Sequence, residues 1–171
     1  MCKTTVKYKV LRKQNNSAMC MVCGAENKFS LRSRYYELEN GEIVSVFRSE
    51  NWHQSYPGRV HGGIAAAVLD ELIGRALCIA EPEMWGVTVE FRIQYKKAIP
   101  TEMDLKARAR MTKNSRKLYE GTGELLLPDG EIAATAWGKY MKMPLEKIAN
   151  REFAENEWFL INEQDPVEFE V

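Results

Sequence analysis

The sequence predicts an α+β fold in which a long antiparallel β-sheet wraps around one central apolar α-helix. Three observations predict it. Residues 57–80 are a glycine-rich turn that opens into a nearly all-apolar helix, two strand-like segments around an Asn-Gly pair precede it, and four runs of alternating apolar and polar residues follow it. At 171 residues, the chain fits one domain that can bury a sizeable core.

Composition and charge exclude several function classes. The 24 basic and 24 acidic residues cancel, so no overall charge points to nucleic acid or to a membrane surface. The longest apolar run, Ile64–Leu69, is too short to cross a membrane, and the N-terminus lacks the apolar region of a secretory signal. Four unevenly spaced cysteines do not resemble a disulfide framework. We therefore expect a soluble cytoplasmic protein.

The composition divides the chain into three segments. Residues 1–19 are a basic N-terminal leader, in which three apolar residues allow a short helix. Residues 20–143 form the predicted domain. Residues 144–171 are an acidic C-terminal extension, since the chain has eight acidic and two basic residues from position 145 onward. Within this extension, residues 145–158 are compatible with a short amphipathic helix that docks loosely on the domain.

Local patterns predict the strands and turns. Phe29–Leu38 and Ile43–Arg48 flank the Asn-Gly pair, which is a strong hairpin signal because both turn residues take positive φ. Glu81-Pro82-Glu83 ends the helix. The four later strands are predicted at Trp85–Lys97, Glu102–Thr112, Lys117–Leu127 and Glu131–Met143. Their short connections predict an antiparallel sheet, and a curved sheet of this length needs the helix to wrap around.

Cys20 and Cys23 form a C-x-x-C pair at the start of the predicted domain. A structural zinc site usually has four ligands, and no other candidate ligand is at the required spacing. The remaining candidates are Cys2, Cys78, His53 and His61. We interpret the pair as a structural turn and predict no metal site, with a zinc-dependent role and a redox pair as the alternatives.

The charged residues inside the apolar helix are of two kinds. Glu71 and Arg75 are four residues apart on one edge of the helix, so they can pair. Asp70 instead lies on a face of small residues, beside Ala66 and Gly74, where there is room for another backbone or a ligand. Since a buried carboxylate is costly unless it is paired, hydrogen-bonded or used, Asp70 is a candidate functional residue.

Gly62 and Gly63 lie where the helix begins. The first N–H groups of a helix lack internal acceptors and carry the positive end of the dipole, so they suit a developing oxyanion, although a tight turn alone would also explain two glycines. Asp70 is eight residues from Gly62, which is about 12 Å along one helix. Both can act on one substrate only if Asp70 comes from a second copy, so the catalytic interpretation predicts a homodimer.

These features resemble a known family. His61-Gly62-Gly63, the acid nine residues after the histidine, and the four long strands that follow are similar to the hotdog-fold thioesterases of the PaaI type. The likeness covers residues 20–143. It implies hydrolysis of an acyl-CoA thioester at the interface of a homodimer, which could pair into a dimer of dimers. CoA would be part of the substrate, and no separate cofactor is implied.

The resemblance also implies residue roles. Gly62, with Gly63 beside it, would polarise the thioester carbonyl through a backbone N–H. Asp70 of the partner would act as nucleophile or as general base for water. His61 would position the substrate or the loop. The alternative function is a hotdog protein that binds or senses acyl-CoA without hydrolysing it, and a hydratase of the same fold is a further one.

Substrate-binding residues are predicted at two places. Many relatives carry Asn or Gln six residues before the histidine of this motif, where this chain has Ser55, with Gln54 one residue earlier. The turn between two late strands contains Lys113, Arg116 and Lys117. These cations are either contacts for the CoA phosphates or part of a solvated turn.

Overall fold

The computed structural model describes residues 6–149 and 152–171. The predicted α+β architecture is confirmed, because a curved antiparallel sheet wraps around one helical segment that runs from Gly62 to Ala80. The strands are β1 Lys7–Lys13, β2 Asn16–Ser17, β3 Arg34–Leu38, β4 Ile43–Arg48, β5 Met84–Tyr95, β6 Asp104–Asn114, β7 Leu118–Leu126, β8 Ile132–Pro144, β9 Trp158–Phe159 and β10 Glu168–Glu170. The helices are α1 Gly62–Arg75 and α2 Leu77–Ala80. Shorter helical turns span Asn51–His53, Leu145–Lys147 and Phe153–Glu157.

In the described part of the chain, eight strands form the main sheet in the order β10-β1-β3-β4-β6-β7-β8-β5. Strand β5 lies at one edge, where it pairs only with β8. The two remaining strands, β2 and β9, pair with each other. The four strands predicted after the helix are confirmed, with bounds that differ by one or two residues.

Helix α1 is mostly buried against the inner face of the sheet, as its composition predicts. Its buried residues are Ala65, Val68, Leu69, Leu72, Ile73 and Arg75. Two stacked rings of the sheet, Tyr119 and Tyr140, lie 5.0 Å apart and donate hydrogen bonds to helix carbonyls. Tyr119 reaches the carbonyl of Gly74 at 2.6 Å, and Tyr140 reaches that of Asp70 at 3.0 Å. The helix is therefore fixed to the sheet beside Asp70.

The predicted hairpin is confirmed as β3 and β4, although β3 begins at Arg34 rather than Phe29. Only Gly41 of the Asn-Gly pair has positive φ, at 80°. The side chain of Asn40 accepts a hydrogen bond from the N–H of Glu42 at 3.1 Å. The expectation that both residues take positive φ is wrong, because this turn is longer than two residues and Asn40 stabilises it through its side chain.

The two ends of the chain differ from their predicted helices. Residues 7–13 form strand β1, which pairs with β3 and with β10 near the C-terminus. The extension has short 3₁₀ and π turns instead of one amphipathic helix. It is also held firmly, since β9 pairs with β2 and the Nζ of Lys13 contacts the carboxylates of Glu163 and Asp165. Residues 1–5 of the predicted leader lie outside the described residues. Over the described ranges, no helix is long and apolar enough to span a membrane.

Candidate active site

Asp70 lies half-buried on α1, and its carboxylate accepts hydrogen bonds from two hydroxyl groups. The Oγ1 of Thr88 lies 3.0 and 3.2 Å from the two carboxylate oxygens. The hydroxyl of Tyr140 lies 3.0 Å from Oδ1. Among residues 6–149 and 152–171, no cationic side chain pairs with Asp70. Its negative charge is therefore stabilised by neutral donors, which leaves it free to act on a ligand.

Tyr140 serves as a donor throughout the neutral pH range. Burial raises the pKa of Tyr140 well above its ordinary value, and the nearby Asp70 carboxylate raises it further. The phenol therefore stays protonated, and it orients the carboxylate without competing for a proton.

Glu71, the next residue, has a different environment. Its Oε1 accepts hydrogen bonds from Nε and Nη2 of Arg75 at 3.0 and 2.9 Å, which confirms the predicted pair. Burial acts to raise the pKa of Glu71, but the charge of Arg75 and the hydrogen bonds from Cys20, Cys23 and Arg75 together outweigh burial, so the pKa is lowered. The second oxygen, Oε2, lies 3.1 Å from the Sγ of Cys20. Glu71 is thus a structural carboxylate with one oxygen directed toward the cysteine pair.

The N-terminus of α1 is capped by a side chain. The Nδ1 of His61 accepts a hydrogen bond from the N–H of Gly63 at 2.9 Å, with His61 in extended conformation as the N-cap. The hydroxyl of Tyr95 donates to the carbonyl of Gly62 at 2.8 Å. Within the described chain, the N–H of Gly62 has no acceptor. Of the two glycines singled out by the sequence, Gly62 therefore offers a free donor, whereas the N–H of Gly63 is occupied.

A shallow hollow of about 390 Å³ adjoins Gly62. It is lined by Ser55, Tyr56, Arg59, Val60, Gly62, Tyr95, Lys96, Lys97, Ala98 and Ile99. Ser55 is among these lining residues, and its role as a substrate contact stays a prediction. The neighbouring Gln54 accepts a hydrogen bond from the N–H of Gly58 at 3.2 Å, so in this structure it supports the turn before the helix.

A separate cavity of about 400 Å³ adjoins Asp70. Its lining includes Thr88 and Tyr140, together with aromatic rings from β5 and from the C-terminal extension. Two of these rings, Trp85 and Trp158, pack with their centroids 4.6 Å apart. The cavity shares no lining residue with the hollow at Gly62, so one chain keeps the two chemical groups apart.

The predicted phosphate contacts lie at a third place. Lys113, at the end of β6, and Arg116 and Lys117, in the turn between β6 and β7, are all exposed. The neighbouring Asn114 donates a hydrogen bond to Glu81, at the end of the helical segment, at 3.1 Å. Within one subunit these cations therefore lie at the end of the helical segment opposite Gly62.

Several residues of the candidate site were not predicted from the sequence. Thr88 is a lone hydroxyl in the run Val87-Thr88-Val89, and that signal could have singled it out. Lys96 and Lys97 adjoin the hollow and were visible as a pair of cations after a strand. Tyr140 has no distinguishing sequence signal, since it is one of two aromatic residues in its strand.

Part of the chain is similar to a known protein family. Residues 57–134 match the family model of the thioesterase superfamily. The matching segment of this chain includes Gly62, Asp70 and Thr88, and it ends before Tyr140. A comparison with curated proteins found no match.

Several solved structures resemble the chain. A crystal structure of a thioesterase superfamily protein has a TM-score of 0.66 and 22% identity, and covers 71% of this chain, which spans 59% of that protein. Zebrafish thioesterase superfamily member 2 has a TM-score of 0.55 and 26% identity, over 59% of this chain and 74% of its own. A Streptococcus mutans UA159 protein bound to acetyl-CoA has a TM-score of 0.55 and 18% identity, over 61% of this chain and 82% of its own. These likenesses confirm the hotdog fold.

Proposed function

We propose that this chain is an acyl-CoA thioesterase of the thioesterase superfamily, which uses water to cleave an acyl-CoA into a free acid and CoA. One observation carries the proposal: the segment that matches the superfamily model contains both chemical groups that the reaction needs. In the described structure, Gly62 has a free N–H at a helix N-terminus, and Asp70 has a carboxylate that no cation neutralises. Both groups lie on one helix and face different cavities.

In the proposed reaction the thioester carbonyl oxygen accepts a hydrogen bond from Gly62. The positive end of the α1 dipole then stabilises the negative charge that develops on this oxygen. Asp70 either takes a proton from the attacking water or attacks the carbonyl carbon itself to form an anhydride that water cleaves. In both routes the carbon–sulfur bond breaks and CoA leaves as a thiolate that is then protonated.

The proposal requires two copies of the chain. Gly62 and Asp70 are eight residues apart in a continuous helix, and about 12 Å of helix separates them. Two α1 helices that run antiparallel about a two-fold axis would bring Asp70 of one protomer to Gly62 of the other. The exposed edge of β5 supports such an interface, since Val89 and Tyr95 there are 55% and 54% exposed.

An acyl-CoA is the proposed substrate class because anion-binding groups adjoin the proposed oxyanion site. Arg59, Lys96 and Lys97 line the hollow beside Gly62, and Lys97 is also paired with Glu131. Arg59 and Lys96 would contact the phosphates or pantetheine carbonyls of CoA. The structural neighbour with bound acetyl-CoA supports the same class. Assignment to the PaaI type rests on the His-Gly-Gly motif and the spacing to Asp70 and is part of this proposal.

Substitution of Asp70 tests the proposed activity. A panel of acyl-CoA substrates, with released CoA trapped by a thiol reagent, should show hydrolysis by the wild type. Asp70→Asn should lower kcat at least about 100-fold, because a general base or nucleophile is lost. The size of the protein in solution should not change, since an amide keeps the hydrogen bonds from Thr88 and Tyr140.

Asp104→Asn is the matched control, since its carboxylate is 88% exposed and, within the described chain, pairs with the exposed Arg48 alone. It should hydrolyse acyl-CoA like the wild type. Near-normal turnover by Asp70→Asn would contradict the proposal. Tight acyl-CoA binding by the wild type with no thiol release across the panel would favour the binding or sensing alternative instead.

A further inference from the structure

The C-x-x-C pair meets a third donor that its sequence spacing does not reveal. The Sγ atoms of Cys20 and Cys23 and a carboxylate oxygen of Glu71 all lie within 4.8 Å of one another. Cys23 is buried, and the other two residues are half-buried. From these contacts we propose that Cys20, Cys23 and Glu71 bind one zinc ion, whose fourth position faces the cavity beside Asp70.

The backbone around the pair is shaped like a metal-binding turn. The N–H groups of Val22 and Cys23 donate to the Sγ of Cys20 at 3.3 and 3.5 Å, and the N–H of Ser17 donates to the Sγ of Cys23 at 3.5 Å. Such donors stabilise thiolate ligands. The turn also requires glycine at position 24, because a β-carbon there would lie 2.3 Å from the carbonyl oxygen of Cys20.

Glu71 is held in a position that suits a ligand. Its Oε1 is bonded by Arg75, which leaves Oε2 directed at the Sγ of Cys20 at 3.1 Å. The Nη2 of the same guanidinium lies 3.3 Å from the Sγ of Cys23. Arg75 thus supports both a carboxylate and a thiolate from outside the ligand set, as residues behind metal ligands commonly do.

The distances and the charges both fit zinc. Tetrahedral zinc with ligands at about 2.0–2.3 Å needs ligand atoms roughly 3.3–3.8 Å apart, so separations of at most 4.8 Å would close by no more than about 1.5 Å. Zinc binding would expel the two thiol protons. The two new thiolate charges then cancel the charge of the ion, and Glu71 and Arg75 cancel each other. The buried cluster therefore stays neutral with the metal and without it, and its two sulfur donors favour a soft cation.

Metal titration of the full chain tests the proposal. Reduced, chelator-treated protein should take up one Zn²⁺ per chain in competition with a chromophoric chelator. With Co²⁺ instead, the wild type should show the thiolate-to-metal charge-transfer band in the near ultraviolet. Glu71→Gln should weaken Zn²⁺ binding at least tenfold, since loss of even an outer partner costs about that much.

Two further variants separate ligation from general damage. Cys20→Ser should lose most of the charge-transfer intensity, whereas Cys78→Ser should bind like the wild type, because the Sγ of Cys78 contacts the carbonyl of Met84 at 3.6 Å and lies outside the cluster. The Co²⁺ spectrum of the wild type needs no variant, so it remains decisive if a variant misfolds. A reduced wild type that takes up no Zn²⁺, or a folded Glu71→Gln that binds it as tightly as the wild type, would overturn the proposal. A Cys20–Cys23 disulfide that persists under reducing conditions would overturn it as well.

Discussion

Asp70 and Glu71 are neighbours on α1, yet they are stabilised in different ways. Glu71 shares its charge with the buried guanidinium of Arg75. Asp70 receives hydrogen bonds only from the hydroxyl groups of Thr88 and Tyr140 among the described residues. The charge of Glu71 is balanced by a neighbouring cation, whereas the charge of Asp70 is stabilised by neutral donors alone. The helix thus carries a structural acid and a candidate catalytic acid side by side.

The two acids line one cavity but contact different elements of the fold. Glu71 faces the cysteine turn that precedes the first hairpin. Asp70 faces the edge strand β5 through Thr88, next to the surface that the proposed dimer would bury. This difference predicts that damage around Glu71 reduces stability and that damage around Asp70 reduces activity.

Loss of Arg75 should give the largest effect on stability. Arg75→Gln leaves the half-buried Glu71 without its counter-charge, so we expect the free energy of unfolding at neutral pH to fall by about 3–5 kcal/mol. Urea unfolding of both proteins in the presence of a chelator measures this change in the free energy of unfolding. Arg48→Gln, which breaks an exposed pair with Asp104, is the control and should cost less than about 1 kcal/mol.

The contribution of the Glu71–Arg75 pair to stability should depend on pH. Although burial acts to raise it, the folded-state pKa of Glu71 is lowered from its ordinary value of 4.5. The Glu71–Arg75 contribution is therefore present above that value and is lost as the pH falls through the lower folded-state pKa. The difference in the free energy of unfolding between the wild type and Arg75→Gln should become smaller at acidic pH. A difference that stays constant would show that Arg75 stabilises the fold by packing rather than by charge.

Loss of the Thr88 hydroxyl should give a smaller effect, and one confined to catalysis. Thr88→Val removes one donor to the Asp70 carboxylate and keeps the side-chain shape, so kcat should fall roughly tenfold. Stability should change by less than about 1 kcal/mol because Thr88 is exposed. Thr88→Ser keeps the hydroxyl and should retain most of the activity. Equal losses in the two variants would indicate that the methyl group, and not the hydrogen bond, matters at this position.

Regular periodicity allowed much of the fold to be predicted from the sequence. The strands after the helix alternate apolar and polar residues over nine or more positions. The helix that contains the apolar stretch from Ile64 must be buried, so its central position could be predicted. The ends of the chain were harder to predict. Residues 6–10 alternate apolar side chains with lysines, which is a short strand signal. The partners of strand β1, which are β3 and β10, could not be predicted from this local pattern because the pairing is long-range.

The site was predictable to a similar extent. The helical wheel separated Asp70 from Glu71, and the structure places them in the two environments described. The helical wheel could not predict the hydrogen bond from Tyr140, which is 70 residues from Asp70 in the chain. It also could not predict the contact between Cys20 and Glu71, which are 51 residues apart. Spacing rules reveal donors on one element, whereas these contacts arise only when the sheet closes around the helix.

The central claim, that each active site combines Gly62 of one protomer with Asp70 of the other, can be tested with mixed dimers. Gly62→Pro removes the N–H, and proline is well tolerated at the first position of a helix. The extended conformation of His61, with ψ of 135°, also suits a residue before proline. Gly62→Ala is the matched control, because it keeps the N–H and adds a β-carbon 3.3 Å from the Tyr95 ring.

Alone, Gly62→Pro and Asp70→Asn should each lose at least about 100-fold in kcat, while Gly62→Ala should keep most activity. When the two inactive variants are unfolded together and refolded as an equal mixture, half of the dimers contain one of each chain. Each such dimer has one intact site. The mixture should therefore recover about one quarter of the wild-type acyl-CoA hydrolysis. A mixture that stays as inactive as its components, although mixed dimers have formed, would contradict the shared site.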